Sequence, residues 1–226
     1  MAVSVEALVF DFDGLILDTE WPEFFTVREE FAVHGVELEL DAWQQIVGRA
    51  DHPHWFDWLQ GEVDVRLERD VVVERRRSKH HALIAEQQIR PGVNAILDEA
   101  RDAGIPVAVA SSSTVDWVEG HLDRLGLLDR FATIRCRDHV TQAKPHPELF
   151  RAAIDLVGAS PSRSIALEDS HHGCASAKAA GMFCVVVPND VTRTQPFDHA
   201  DLVVESLVEV SIARLSALLR AKSAGE

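Results

Sequence analysis

No apolar run in the 226 residues approaches the ~20 that a helix needs to cross a bilayer. The N-terminus is without the basic start, long apolar stretch and small-residue cleavage site of a secretory signal, and its apolar run is cut at Asp11. Cysteine is scarce. Cys136, Cys174 and Cys184 are an odd number without metal-site spacing, so they read as free core thiols in a reducing cytosol. Positive charge is also in deficit: 22 Lys and Arg stand against 37 Asp and Glu, a net charge of −15. That argues against nucleic acid and anionic membrane as partners, because both reward a basic surface. A cytoplasmic protein, monomer or weak homodimer, is the expectation. No internal repeat or low-complexity segment interrupts the chain.

What is present is a soluble balance, 46% hydrophobic and 26% charged residues. Segments 5–10, 106–110, 131–135, 164–167, 183–187 and 202–204 are short, mostly uninterrupted apolar runs, the composition of buried parallel strands. Helical stretches lie between them: 92–103, 115–125, 147–157 and 173–180, each closing near a glycine. Strand alternating with helix predicts right-handed crossovers and a doubly wound, Rossmann-like parallel sheet. Residues 15–88 break the rhythm. Phe24, Val27 and Phe31 mark one helix face, Asp41 is placed to cap a helix at 42–47, and 64–88 reads as one long charged helix or two. So long a crossover predicts an inserted α-helical cap, 15–89, beside a core of 1–14 and 90–226. After Ser206 a closing amphipathic helix and a frayed tail are expected.

The chemistry gathers where strands end. Asp11-Phe12-Asp13-Gly14 follows the first strand and puts two carboxylates two residues apart, where open α/β sheets place ligands. A polar turn is the plain alternative. Ser111-Ser112-Ser113-Thr114 follows the second strand and opens a helix, which reads as an anion site or as simple capping. Lys144-Pro145-His146-Pro147 holds a lysine in extended backbone, placed for a phosphate or a nucleophile, although a surface lysine is commoner. Glu168-Asp169-Ser170 ends the fourth strand with two more acids, oxygen ligands suited to Mg²⁺.

Four such ends in this order resemble the haloacid dehalogenase superfamily of phosphohydrolases. The matching segments are DFDGLILDTE at 11–20, VAVASSS at 107–113, KPHPELF at 144–150 and LEDSHHGCASAKAAGM at 167–182. The cap between the first two resembles the β-phosphoglucomutase-like subgroup. The resemblance implies Asp11 as nucleophile, forming an aspartyl-phosphate, and Asp13 as general acid and base. It implies Ser111 and Ser112 as phosphate binders and Lys144 as the bridge between nucleophile and phosphate. Mg²⁺ would be held by Asp11, the Asp13 carbonyl and Asp169, with Glu168 either a ligand or behind one. An intact Asp-x-Asp favours phosphorus over carbon chemistry. Lys79, within the basic run 75–79, reads as part of a solvated face and not as the Schiff-base lysine of a phosphonatase.

The expected activity is a Mg²⁺-dependent phosphatase acting on a small phosphorylated metabolite, a sugar or polyol phosphate. The alternatives are a β-phosphoglucomutase-type mutase and a non-catalytic phosphate- or metal-binding protein on the same fold. Mutases of the subgroup carry a cap histidine where this chain has Glu23, which favours the phosphatase, as does Leu17-Asp18-Thr19-Glu20. Against it, Arg49 aligns by resemblance with the cap arginine that mutases use on the distal phosphate, although it equally suits any anionic substrate group or an ion pair with a cap acid. Glu20, Glu23 and Arg49 make the expected cap contribution. Trp21, Trp43, Trp55 and Trp58 read as cap core. His52, His54, His80 and His81 read as surface or capping residues, and His171 and His172 as helix-start residues that reach the site edge.

Overall fold

The computed structural model describes residues 5–225, and their side chains as far as residue 222. In chain order the elements are β1 (Ala7–Phe10), α1 (Glu20–Val33), α2 (Leu40–Gln44), α3 (Trp55–Glu62), α4 (Arg69–Glu86) and α5 (Val93–Asp102). Then come β2 (Val107–Ala110), α6 (Val115–Arg124), β3 (Thr133–Arg135), α7 (Glu148–Val157), β4 (Ser164–Glu168) and α8 (His171–Ala179). β5 (Phe183–Val186), β6 (Leu202–Val203) and α9 (Ile212–Gly225) complete the chain. The frayed tail expected after α9 lies outside the described residues. No described helix is long and apolar enough to cross a membrane.

All six strands are parallel, in the order β3-β2-β1-β4-β5-β6. The chain therefore winds one way from β1 to β3, then restarts beside β1 with β4. That reversal opens a crevice at the strand ends around β1. Each strand sends alternate residues to opposite faces. Leu8 and Phe10, Val107 and Val109, and Ile165 and Leu167 enter one core with residues of α5, α6 and α9. Val9, Ala108, Ala110 and Ala166 enter the other, with α7 and α8. Residues buried on both faces explain why β1, β2, β4 and β5 read as continuous apolar runs instead of alternating ones.

α1–α4 bring their own apolar cluster, in which Phe24, Val27, Phe31, Trp43, Trp55 and Leu59 are buried. The segment leaves and returns at one place: Leu17 bridges Ile89, and Arg90 N–H donates to the Ile16 carbonyl at 2.9 Å. Three details depart from the sequence reading. Asp41 lies in the first turn of α2, with Glu39 at the N-cap position. α3 was not anticipated; the segment before it is rich in glycine, histidine and proline, and its apolar pattern is too short to stand out. The stretch 64–88 is one helix, beginning at Arg69.

Candidate active site

Register brings the first and fourth strand ends level. Phe10 pairs with Leu167, so Asp11 and Glu168 follow side by side, and Asp11 N–H donates to the Leu167 carbonyl at 2.9 Å. Phe10 pairs with Val109 on the other side, which leaves Ser111 just beyond. Lys144 arrives from the loop before α7 and is 2% exposed. Its ammonium makes a short contact to Asp11 Oδ1 and a 2.6 Å bond to Glu168 Oε1. Asp11, Asp13, Lys144, Ser111, Glu168 and Asp169, far apart in sequence, thus meet at one crevice.

Glu168 is wholly buried and its acceptors are taken. Oε1 receives Lys144, while Oε2 receives the Asp169 N–H at 3.0 Å, the Ser170 N–H at 3.2 Å and the Ser170 hydroxyl at 3.1 Å. Gly173 is what admits it: a Cβ there would stand 2.0 Å from Glu168 Oε1. Asp169 Oδ2 receives Asn189 Nδ2 at 2.7 Å. Among the described residues, Asp11 Oδ2 and Asp169 Oδ1 meet no protein donor.

Three carboxylates share one ammonium here, a net charge of about −2 in a buried place. Burial pushes the Asp11 carboxyl well above the usual range, against Lys144 and helped by Glu168 and Asp13. Asp169 is pushed up in the same way, by burial, then by Glu168, Asp11 and Glu20. Burial opposes the charge on Lys144, yet Asp11 and Glu168 together hold its pKa above the ordinary lysine value. Oxygens of Asp11, Glu168 and Asp169 lie within 4.8 Å of one another. This donor set, all oxygen and short of positive charge, fits a hard divalent cation. Asp11 and Asp169 have oxygens to give it; Glu168 is occupied and stands behind them.

Asp13 faces the same cavity from a different set of bonds. Its Oδ1 accepts from Thr19 Oγ1 and Trp117 Nε1, both at 2.9 Å, and its Oδ2 from Ser113 Oγ at 2.6 Å and Ser111 Oγ at 3.2 Å. The Ser112 hydroxyl instead donates to the Gly48 carbonyl of the α2–α3 connection, at 3.1 Å. Gly14 closes the turn at φ +74°, where a Cβ would stand 2.2 Å from Asp169 Oδ2.

Above the acids lies a cavity of about 400 Å³, roofed by the helical segment. Glu20, Glu23 and Arg49 are among the residues that line it. The Arg49 Nε and Nη2 donate to Asp51 at 2.9 and 3.0 Å. Burial, then the Asp13 and Glu23 charges, push the Glu20 carboxyl well up. Several expectations need correction. Arg76 and His80 are buried wall residues, not part of a solvated face: Arg76 Nε donates to Thr26 Oγ1 at 3.0 Å and its fork pairs with Glu23. His80 Nε2 lies 3.0 Å from Glu23 Oε2, and burial lowers its pKa to about 4. Trp43 and Trp55 are cap core and also cavity wall, whereas Trp21 is 39% exposed. His171 and His172 begin α8 but bond to the Pro196 and Gln45 carbonyls, away from the acids. His54 does cap a helix, accepting from Phe56 N–H at 3.1 Å, and it lines the cavity with His52.

Sequence reasoning missed Trp117 and Asn189, and it gave Thr19 and Ser113 no role at Asp13. Asn189 could have been found, since it follows the fifth strand just as the other polar residues follow theirs.

The sequence pattern of the haloacid dehalogenase-like hydrolases matches residues 5–181. A candidate phosphatase, YhcW of Bacillus subtilis (strain 168), is 41% identical over 93% of this chain and 96% of its own. CbbY of Cereibacter sphaeroides is 31% identical over 91% of this chain and 94% of its own. A crystal structure of CbbY from Rhodobacter sphaeroides, solved with xylulose 1,5-bisphosphate, superposes with a TM-score of 0.73 at 29% identity, covering 91% and 96% of the two chains. Strand order, the four loop ends and these likenesses converge: the chain belongs to the haloacid dehalogenase-like hydrolases and is an enzyme of that class.

Proposed function

We propose that this hydrolase is a Mg²⁺-dependent phosphatase that releases phosphate from a small phosphorylated metabolite, a sugar or polyol phosphate, through an aspartyl-phosphate on Asp11. The observation that carries this reading is Asp11 itself: it lines the cavity, and Lys144 holds its Oδ1 in place. A carboxylate fixed by an ammonium at the wall of a cavity is placed to act as a nucleophile.

Asp11 attacks phosphorus, forming the acyl-phosphate bond as the bond to the leaving oxygen breaks. Asp13 gives the leaving alkoxide its proton. Asp13, now a carboxylate, takes a proton from water as that water attacks phosphorus, which frees phosphate and restores Asp11. Ser111, the amide of Ser112 and Lys144 hold the phosphate oxygens. Asp11, the Asp13 carbonyl and Asp169 would hold Mg²⁺, which when bound draws off negative charge from the transferring phosphoryl group. Glu168 fixes Lys144 and the start of α8. The core would be 1–14 and 90–226, the cap 15–89, with Glu20, Glu23 and Arg49 as its face to the substrate.

The phosphatase name of YhcW and the sugar bisphosphate in the CbbY crystal support this substrate class. A mutase needs its phosphoenzyme kept from water, and Glu23, paired to Arg76, stands where mutases of the subgroup have a histidine. A panel of sugar, polyol and nucleotide phosphates with Mg²⁺ tests the reading. Steady multiple-turnover phosphate release from a sugar or polyol phosphate, without a bisphosphate activator, is expected. Isomerisation of β-glucose 1-phosphate that depends on glucose 1,6-bisphosphate and outruns phosphate release would overturn it.

A further inference from the structure

Trp117 stands on α6, three residues beyond the N-cap Thr114, and among the described residues its indole is the one nitrogen of the four donors to the Asp13 carboxyl. The other three are hydroxyls, which can turn and accept as well as donate. An indole N–H only donates. It therefore keeps Asp13 Oδ1 as an acceptor in every step, and a proton carried by Asp13 is directed to Oδ2, where the Ser111 and Ser113 hydroxyls can turn to accommodate it.

The indole is itself held. The His80 ring lies parallel to it, 5.8 Å between centroids and 10° between planes, and the His121 ring meets it edge-on at 4.3 Å and 77°. His80 comes from α4, in the helical segment, where it faces Glu23 and neighbours Arg76. Arg124 of α6 also reaches the Ile84 and Gln87 carbonyls at the end of α4, both at 3.4 Å. A flat, rigid side chain packed between a core helix and this segment thus touches the carboxyl assigned to proton transfer.

We propose that Trp117 is a positioning residue for Asp13: its N–H fixes the carboxyl's orientation toward the leaving oxygen, and the His80 stack makes that orientation depend on the placement of α4. This rests on the phosphatase reading above.

The test compares two esters of similar size, phenyl phosphate and p-nitrophenyl phosphate, with Mg²⁺. Phenolate needs a proton to leave well; p-nitrophenolate leaves without one. Trp117→Phe keeps a ring on His80 and removes the N–H. Its kcat should fall about tenfold on phenyl phosphate, with little change in KM, and at most about threefold on p-nitrophenyl phosphate. Asp13→Asn should show the same bias, larger. His80→Ala, which keeps the N–H and removes the stack, should show it in weaker form, and it decides alone should Trp117→Phe fail to fold. An equal fall on both esters, the mark of a merely structural role, or no fall on either, would overturn the proposal. A wild type that releases phosphate from no ester, the sugar and polyol phosphates of the panel included, would fail the phosphatase reading, and this inference with it. Where only those are turned over, their alkoxide leaving groups need the proton too, and Trp117→Phe should lose about tenfold in kcat on them.

Discussion

Lys144→Met should destabilise the metal-free protein more than any other single change in the crevice. Methionine keeps an unbranched chain of similar length and removes only the charge. In the wild type the ammonium lies 2.6 Å from Glu168 and closer still to Asp11, at 2% exposure. At an effective dielectric of 20, a 2.6 Å pair attracts with about 6 kcal/mol. Burying the ions costs several kcal/mol in return, so the net value of the pair is small. Removing one partner is another matter, because it strands carboxylates that already share too little positive charge. Such losses run to about 3–5 kcal/mol. For a chain of this length, roughly 2–4 °C per kcal/mol gives a fall in Tm of about 6–20 °C. Circular dichroism melts at pH 8 in chelator would read it, and saturating Mg²⁺ should return part of the loss by neutralising the same acids. A fall below about 3 °C would refute the charge accounting at Asp11, Glu168 and Asp169.

Other consequences follow from particular atoms. Gly14→Ala should cut Mg²⁺ affinity at least about tenfold by calorimetry, since its Cβ would displace Asp169, 2.2 Å away; wild-type affinity would contradict that placement. Glu20→Gln should stabilise the metal-free protein at pH 8 by about 2–4 °C but hardly at pH 5. The sign is set by a folded pKa raised above the unfolded value: stability is full below about 4.3 and is lost as pH rises through the folded value. A lower Tm for the variant at pH 8 would reverse the argument. Chelator should abolish phosphate release and added Mg²⁺ should restore it, while Ca²⁺, with its looser shell, should inhibit; full turnover in chelator would remove the metal assignment.

The core was legible because parallel strands buried on both faces are short apolar runs, and their polar ends are where ligands sit. Asp11, Ser111 and Asp169 stand just past such ends, whereas Lys144 lies nine residues beyond β3, and the resemblance, not the strand pattern alone, joined the four into one set. The helical segment was less legible, and α4 shows why. Its buried residues are Val72, Arg76, His80 and Ile84, a stripe of four with a spacing of four, half of it polar. A search for apolar periodicity sees only the two ends and reads the middle as solvated. The polar half is buried because it walls a cavity instead of filling a core. Trp117 was hidden for a different reason: it packs beside Val118 and Leu122 against the same core and so passes for one more apolar residue, while its N–H meets Asp13.

The central claim is that Asp11 takes the phosphoryl group. Wild-type enzyme turning over a phosphate ester with Mg²⁺, quenched in acid and mapped by peptide mass spectrometry, measures it directly. The expected result is a phosphoryl group on Asp11, with Asp11→Asn folded, unlabelled and unable to release phosphate. Phosphate release by Asp11→Asn above about a tenth of the wild-type rate, or a phosphoryl group on any other residue, would contradict it.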